Sequence, residues 1–312
     1  MRAVHAFAAS ILALALFSTG TMAELAVSAN DGKQVRPGDV PATPTPDSVS
    51  VISFGQQSKP MVIGTVEAPA TLIGPPTSVA VAPDYSFALV SGGQKLGSNG
   101  RPQPDDTLSV IGLDDPTHPK VLQTLHAAGL GTAGLSINKK GTLALVTSSN
   151  GDVVTVYAIK DRQLTQTGTV KFDAKSEPRD VVIAPDGKTA YVTLWGAAKL
   201  AKLSINGSDV THTGDIAVGV QPDAAAISPD GRYLYSAEFG GTPMTTAKVG
   251  AVSAIDLKTG KMVSAVEVGA GPEHVFLSPD GKYIGVVVGD GSPTNKNAAN
   301  YATKFSHLKI LK

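Results

Sequence analysis

Short apolar runs rich in Val, Ile, Leu and Ala recur along the chain, each closed by a turn and followed by another short run. One run, Val181-Val182-Ile183-Ala184, stops at Pro185-Asp186-Gly187 and is followed by Lys188 to Leu194. Pro sets φ at the first corner, Asp can hydrogen-bond its own backbone and Gly tolerates positive φ, so the chain reverses there. In a later copy a third run, Gly250 to Leu257, and a fourth, Met262 to Gly269, are joined by Lys258-Thr259-Gly260-Lys261. The β-branched content and near-alternation predict strands. Apolar residues three and four apart are lacking, so no helix is expected after the N-terminal apolar run.

The same turn returns at a steady interval. Pro83, Pro185, Pro229 and Pro279, with Lys139 in a degenerate copy, mark steps of 56, 46, 44 and 50 residues. That is the unit size of a four-stranded propeller blade. A sheet apolar on both faces has to stack against copies of itself, and a ring of such sheets leaves only short edges. The expected fold class is therefore all-β, a β-propeller of four-stranded antiparallel blades. A β-sandwich does not account for one turn recurring at blade spacing. Four full blades are read at about 76–126, 133–170, 178–217 and 222–268. A fifth begins at 272 and ends with a third strand at 304–311, while 49–54 and 61–66 read as the outer strands of a closing blade.

Arg2, the apolar run Ala6 to Phe17 and Thr21-Met22-Ala23 before Glu24 read as an export signal over 1–23. The run is too short to span a bilayer, so the mature chain is not expected to be an integral membrane protein. Residues 24–47, with Pro41, Pro44 and Pro46, read as a flexible lead-in, and 48–312 as one propeller domain. The expected location is periplasmic or secreted. The chain has no Cys, which leaves core burial to stabilise the fold and excludes thiol catalysis, iron–sulfur clusters and cysteine zinc sites. Its formal net charge is +0 and it has no Lys/Arg cluster, so nucleic acid is not an expected partner.

Tyr191-Val192-Thr193-Leu194, followed by a Val/Ile-Asp strand and junctions such as Val218-Gly219-Val220-Gln221-Pro222 and Val268-Gly269-Ala270-Gly271-Pro272, resembles the YVTN-type β-propeller repeat. The resemblance runs from about Val49 to the C terminus. It implies about seven blades, so the chain reads as C-terminally shortened, or as a smaller ring closed by shared strands. Relatives of this type include surface proteins, lactonases and electron-transfer subunits, so the resemblance specifies a fold better than a function.

In the resembled fold, second-to-third-strand loops and blade junctions share one face. Three such loops are long: Gly92 to Asp106, Glu238 to Lys248 and Gly289 to Thr303. The junctions add polar residues near the channel. Glu177, Arg179, Glu273 and His274 are the candidates for catalysis, if there is any. Asp180, Asp223, Trp195, Glu238 and Asp290 are candidates for ligand binding. The same junction residues also suit satisfying backbone groups at strand starts, the commoner role of such residues, and Trp195 suits packing between blades. No metal is expected, because the His residues form neither H-x-H nor H-E-x-x-H. No cofactor is expected either: C-x-x-C-H is absent, and without G-x-S-x-G there is no nucleophile elbow. Asp105-Asp106 and Asp114-Asp115 lack a calcium-loop pattern and read as solvated turn residues. The expected function is an exported, non-enzymatic binding or scaffold propeller that presents a loop-rich face to a protein, carbohydrate or small molecule. The alternative is a lactonase-like hydrolase acting at the channel mouth.

Overall fold

The computed structural model describes residues 24–32, 45–55, 59–70, 78–98, 100–241, 249–289 and 306–312. These form six antiparallel sheets arranged as a β-propeller. The first sheet holds β1 (Leu25–Asn30), β2 (Ser48–Ser53) and β3 (Met61–Glu67). The second holds β4 (Val79–Val81), β5 (Phe87–Leu96), β6 (Pro102–Gly112) and β7 (Lys120–His126). The third holds β8 (Thr132–Ile137), β9 (Leu143–Ser148), β10 (Val153–Lys160) and β11 (Gln163–Lys171). The fourth holds β12 (Pro178–Ile183), β13 (Thr189–Leu194), β14 (Lys199–Asn206) and β15 (Asp209–Ala217). The fifth holds β16 (Pro222–Ile227), β17 (Tyr233–Glu238), β18 (Gly250–Asp256) and β19 (Lys261–Gly269). The sixth holds β20 (Pro272–Leu277), β21 (Ile284–Val288) and β22 (His307–Leu311).

Strands follow chain order across every sheet. The first strands β4, β8, β12, β16 and β20 meet one another from sheet to sheet and so line the axis. Burial falls off outward. Every residue of β9 is buried, whereas β19 is exposed along nearly its whole length. The middle strands are covered on both faces, which is why they read as continuous apolar runs rather than strict alternation.

Neighbouring residues on one strand feed different interfaces. On β13, Val192 packs with Leu145 and Val156 of the third sheet. Tyr191 packs with Leu234 and Ile255 of the fifth. Equivalent clusters join the first sheet to the second around Val49 and Val90, the second to the third around Leu89 and Val146, and the fifth to the sixth around Val252 and Val286.

Hydroxyl groups fasten these interfaces near the axis. Ser91, Thr147 and Thr193 each stand eight residues after the turn position marked by Pro83, Lys139 and Pro185. Ser91 Oγ donates to the Ala133 carbonyl at 2.7 Å, Thr147 Oγ1 to that of Arg179 at 2.8 Å and Thr193 Oγ1 to that of Asp223 at 3.1 Å. Each acceptor lies on the first strand of the next sheet. In the fifth sheet the same position is Ala237, which packs in the apolar cluster instead.

The turns behave as their residues predict. Asp186 Oδ1 accepts from the Lys188 amide at 2.8 Å, and Asp230 and Asp280 accept equivalent bonds from Arg232 and Lys282. Gly187, Gly231 and Gly281 follow with φ of 66°, 74° and 68°, where a side chain is strained.

Three expectations change. Residues 25–30, read as part of a flexible lead-in, form β1 and pair with β2 from Leu25↔Ser53 to Asn30↔Ser48. The blade count is six, because the segments read as partial blades are sheets in their own right. Gly92 to Asp106 is not a long loop. β5 and β6 continue through it as a hairpin, with a register shift between Gly92 and Gln94. The export signal at 1–23, and most of the loops beginning at Glu238 and Gly289, lie outside the described residues.

Replacing Thr193 with Val keeps the shape but removes the donor to the Asp223 carbonyl. The variant is expected to lose about 1–3 kcal/mol of unfolding free energy in urea titrations.

Candidate functional site

The junctions between sheets set the site. Gly131, Glu177, Gln221 and Gly271 each precede the first strand of a sheet, and all have positive φ, at 72°, 49°, 58° and 65°. Their carbonyls accept from the amides of Ser149, Trp195, Phe239 and Gly289 at 2.8, 3.1, 2.9 and 2.7 Å. For Glu177 this is a strained conformation. It is held by Asp152, whose carboxylate accepts from the Glu177 amide at 2.8 Å and from the Lys175 amide at 2.8 Å. Glu177 is thus a backbone corner first. Its half-exposed side chain reaches Arg179 at 3.7 Å.

One residue further into each first strand stand Arg179, Asp223 and Glu273, in the same register on adjacent sheets. Asp223 is only 5% exposed, and its Oδ1 has no hydrogen-bond partner. Burial pushes its carboxyl up to about 8; Arg179 opposes the shift, while Glu273 and Asp180 add to it. Burial also raises Glu273 and lowers His274. His274 Nδ1 and Arg179 Nε are likewise buried without partners. His274 stacks on Phe276 at 6.0 Å between ring centroids.

Asp180 belongs to the framework. Its carboxylate accepts from the Val181 amide at 2.9 Å and, across the interface, from the Ala225 amide at 3.0 Å. A Cβ at position 134 would lie 2.5 Å from Asp180 Oδ1, which accounts for Gly134 on the facing strand.

Trp195 and Phe239 occupy equivalent positions, each ten residues after the turn proline of its blade. Their rings meet at 5.0 Å and 57°, and the Arg179 guanidinium lies 4.6 Å from the centre of the Trp195 ring. The cation–π contact fixes Arg179 beside the carboxyls. Phe239 was missed in the sequence, although the repeat register could have found it through its alignment with Trp195.

Glu238 stands apart from this group. It is 3% exposed, at the position where the fourth and sixth sheets carry Leu194 and Val288. Its Oε2 accepts from Ser253 Oγ at 2.8 Å, burial raises its carboxyl, and Oε1 has no partner. Asp290 lies outside the described residues. Asp105, read as a solvated turn residue, is instead buried on β6, 2.7 Å from Lys95 Nζ and 2.6 Å from Thr107 Oγ1. Two cavities lie away from the Arg179–Asp223–Glu273 group: one of about 470 Å³ by Asp47 and Lys95, and one of about 760 Å³ among the turns near Lys139 and Asp186.

No protein-family model matches the chain, and no curated protein matches it in sequence. Solved structures do resemble it. The Kuenenia stuttgartiensis hydrazine synthase matches with a TM-score of 0.57 and 21% identity over 78% of this chain, which spans 64% of that one. A Bacteroides fragilis protein proposed to be a 6-phosphogluconolactonase matches at 0.64 and 15%, over 92% of this chain and 84% of its own. The periplasmic gluconolactonase of Pseudomonas aeruginosa matches at 0.60 and 17%, over 92% and 85%. These likenesses establish the propeller fold.

Asp223 gives the stability a predictable pH dependence. Unfolded, its carboxyl ionises near the usual value of about 3.9; folded, it keeps its proton up to about 8. Between those values the native state binds more protons, so its contribution to stability falls as pH rises from about 4 to about 8, then levels off. Asp223→Asn removes this contribution. Its melting temperature should decline less than that of the wild type between pH 5 and pH 8, as followed by circular dichroism.

Proposed function

We propose that the chain is an exported, non-enzymatic binding propeller that takes a small polyhydroxylated ligand at the mouth formed by Arg179, Asp223, Glu273 and Trp195. The observation that carries this reading is the pair of unpartnered polar atoms on adjacent strand starts. Arg179 Nε and Asp223 Oδ1 are both shielded from solvent and without a hydrogen-bond partner. Leaving buried donors and acceptors unpaired costs stability, and a ligand carrying hydroxyl groups removes that cost on binding. The Trp195–Phe239 pair supplies the apolar wall common in small-molecule sites. Export is supported by the N-terminal signal pattern and by the likeness to a periplasmic protein.

A second reading, lactone hydrolysis, is favoured by the names of two of the similar structures. A carboxylate or neutral imidazole would take a proton from water, and the hydroxide would add to the lactone carbonyl. The ring C–O bond would then break, with a proton passing to the leaving alkoxide. Glu273 and His274 are the candidate bases, Asp223, whose protonated form burial favours, is the candidate acid for the leaving alkoxide, and Arg179 is the cation that would face a developing oxyanion.

Trp195 is the only Trp, so its fluorescence reports on this mouth. Titration with polyols, sugars and aldonolactones is expected to give a saturable change that is lost in Arg179→Ala. No change with any of them would overturn the reading. Turnover of a lactone, followed by pH-stat and abolished in Asp223→Asn, would replace binding with hydrolysis.

A further inference from the structure

We propose that the ligand of this mouth carries a primary ammonium group, seated between Asp223 and Glu273, on a hydroxyl-bearing body, as in an amino sugar or amino polyol. The inference rests on the reading of the mouth as a small-ligand site.

Among the described residues the charge count is one-sided. Asp223 feels the carboxyls of Glu273 and Asp180 and one guanidinium, that of Arg179, which Glu177 also meets. Arg179 is already engaged by Glu177 at 3.7 Å and by the Trp195 ring at 4.6 Å. Asp180 directs its carboxylate at the Val181 and Ala225 amides. Arg179 is the one cation that the described strands next to Asp223 supply, and Glu177 and the Trp195 ring share it. No Lys lies on β12, β16 or β20, and burial lowers His274, disfavouring its charged form. An anionic ligand would meet a surplus of like charge here, whereas an ammonium would meet two carboxyls.

Asp223 provides the independent sign of an unfilled contact. Its side chain is almost wholly buried, yet Oδ1 is unpartnered. Burial favours the protonated form of this carboxyl. An ammonium neutralises it equally well and donates up to three hydrogen bonds, and a charge-assisted bond is roughly twice as strong as a neutral one. Arg179 Nε, an unpartnered donor, calls for an acceptor on the same ligand, which a hydroxyl oxygen supplies.

Three probes of one shape separate the possibilities: 1-amino-1-deoxy-D-glucitol, D-glucitol and D-gluconate. They are measured by isothermal titration calorimetry on the mature chain at pH 8 and one fixed salt concentration. The amine is expected to bind at least tenfold more tightly than D-glucitol, and D-gluconate most weakly. In Glu273→Gln the ratio of amine to D-glucitol affinity should fall below threefold, whatever the change in D-glucitol affinity itself; Asp223→Asn, checked for folding by circular dichroism, should behave alike. If D-glucitol binds but the amine gains nothing, or if D-gluconate binds as tightly as the amine, the ammonium assignment is overturned and the small-ligand reading stands. If none of the three binds, both are overturned.

Discussion

A sheet whose middle strands are apolar on both faces cannot be a surface. Val192 and Tyr191 are consecutive on β13, yet one packs with Leu145 of the preceding sheet and the other with Leu234 of the following one. A sheet of this kind therefore packs a neighbour on either side, as the second to fifth sheets do, and burying this apolar surface is the main stabilising term. The arrangement around an axis follows, because twisted sheets stacked face to face bring their first strands together. That packing sets Arg179, Asp223 and Glu273 at one register position on β12, β16 and β20, so the candidate site follows from the packing and its chemistry from the residues that occupy that register.

Crowding strand starts together at an axis has a polar cost, and the chain meets most of it with groups of its own. Backbone carbonyls of Ala133, Arg179 and Asp223 accept hydroxyl donors from the previous sheet. Asp180 ties two amides across an interface. Non-glycine corners at Glu177 and Gln221 tolerate positive φ so that their carbonyls can meet the Trp195 and Phe239 amides. Arg179 Nε and Asp223 Oδ1, on adjacent strand starts, are among the buried atoms left unpaired, where natural folds pair most such groups.

The repeat was the legible part of the sequence. Turn residues are chosen by local backbone geometry, so Pro185-Asp186-Gly187 and its copies announced both the strand ends and the blade period. β1 was not legible, because Leu25 to Asn30 carries no turn signal of the repeat and gains its identity by pairing with β2. The β5–β6 hairpin was missed for a related reason. Gly92, Gly93, Gly97 and Pro102 favour loops locally, and only cross-strand pairing makes the segment extended. At the site, register alone placed Arg179, Asp223 and Glu273 near the channel. Their pairing state was not legible, since Asp180 and Asp223 look alike in sequence. One is fully engaged by amides, and the other is left with a bare oxygen. Asp105 shows the same limit: its burial depends on Lys95, which reaches it from across the hairpin.

Hydrogen–deuterium exchange tests the central claim most directly, since it reads backbone protection strand by strand. If stacking around an axis holds the molecule together, amides of β8, β12 and β16 exchange far more slowly than those of the outer strands β11, β15 and β19. Outer strands protected as strongly as the inner ones would contradict the account.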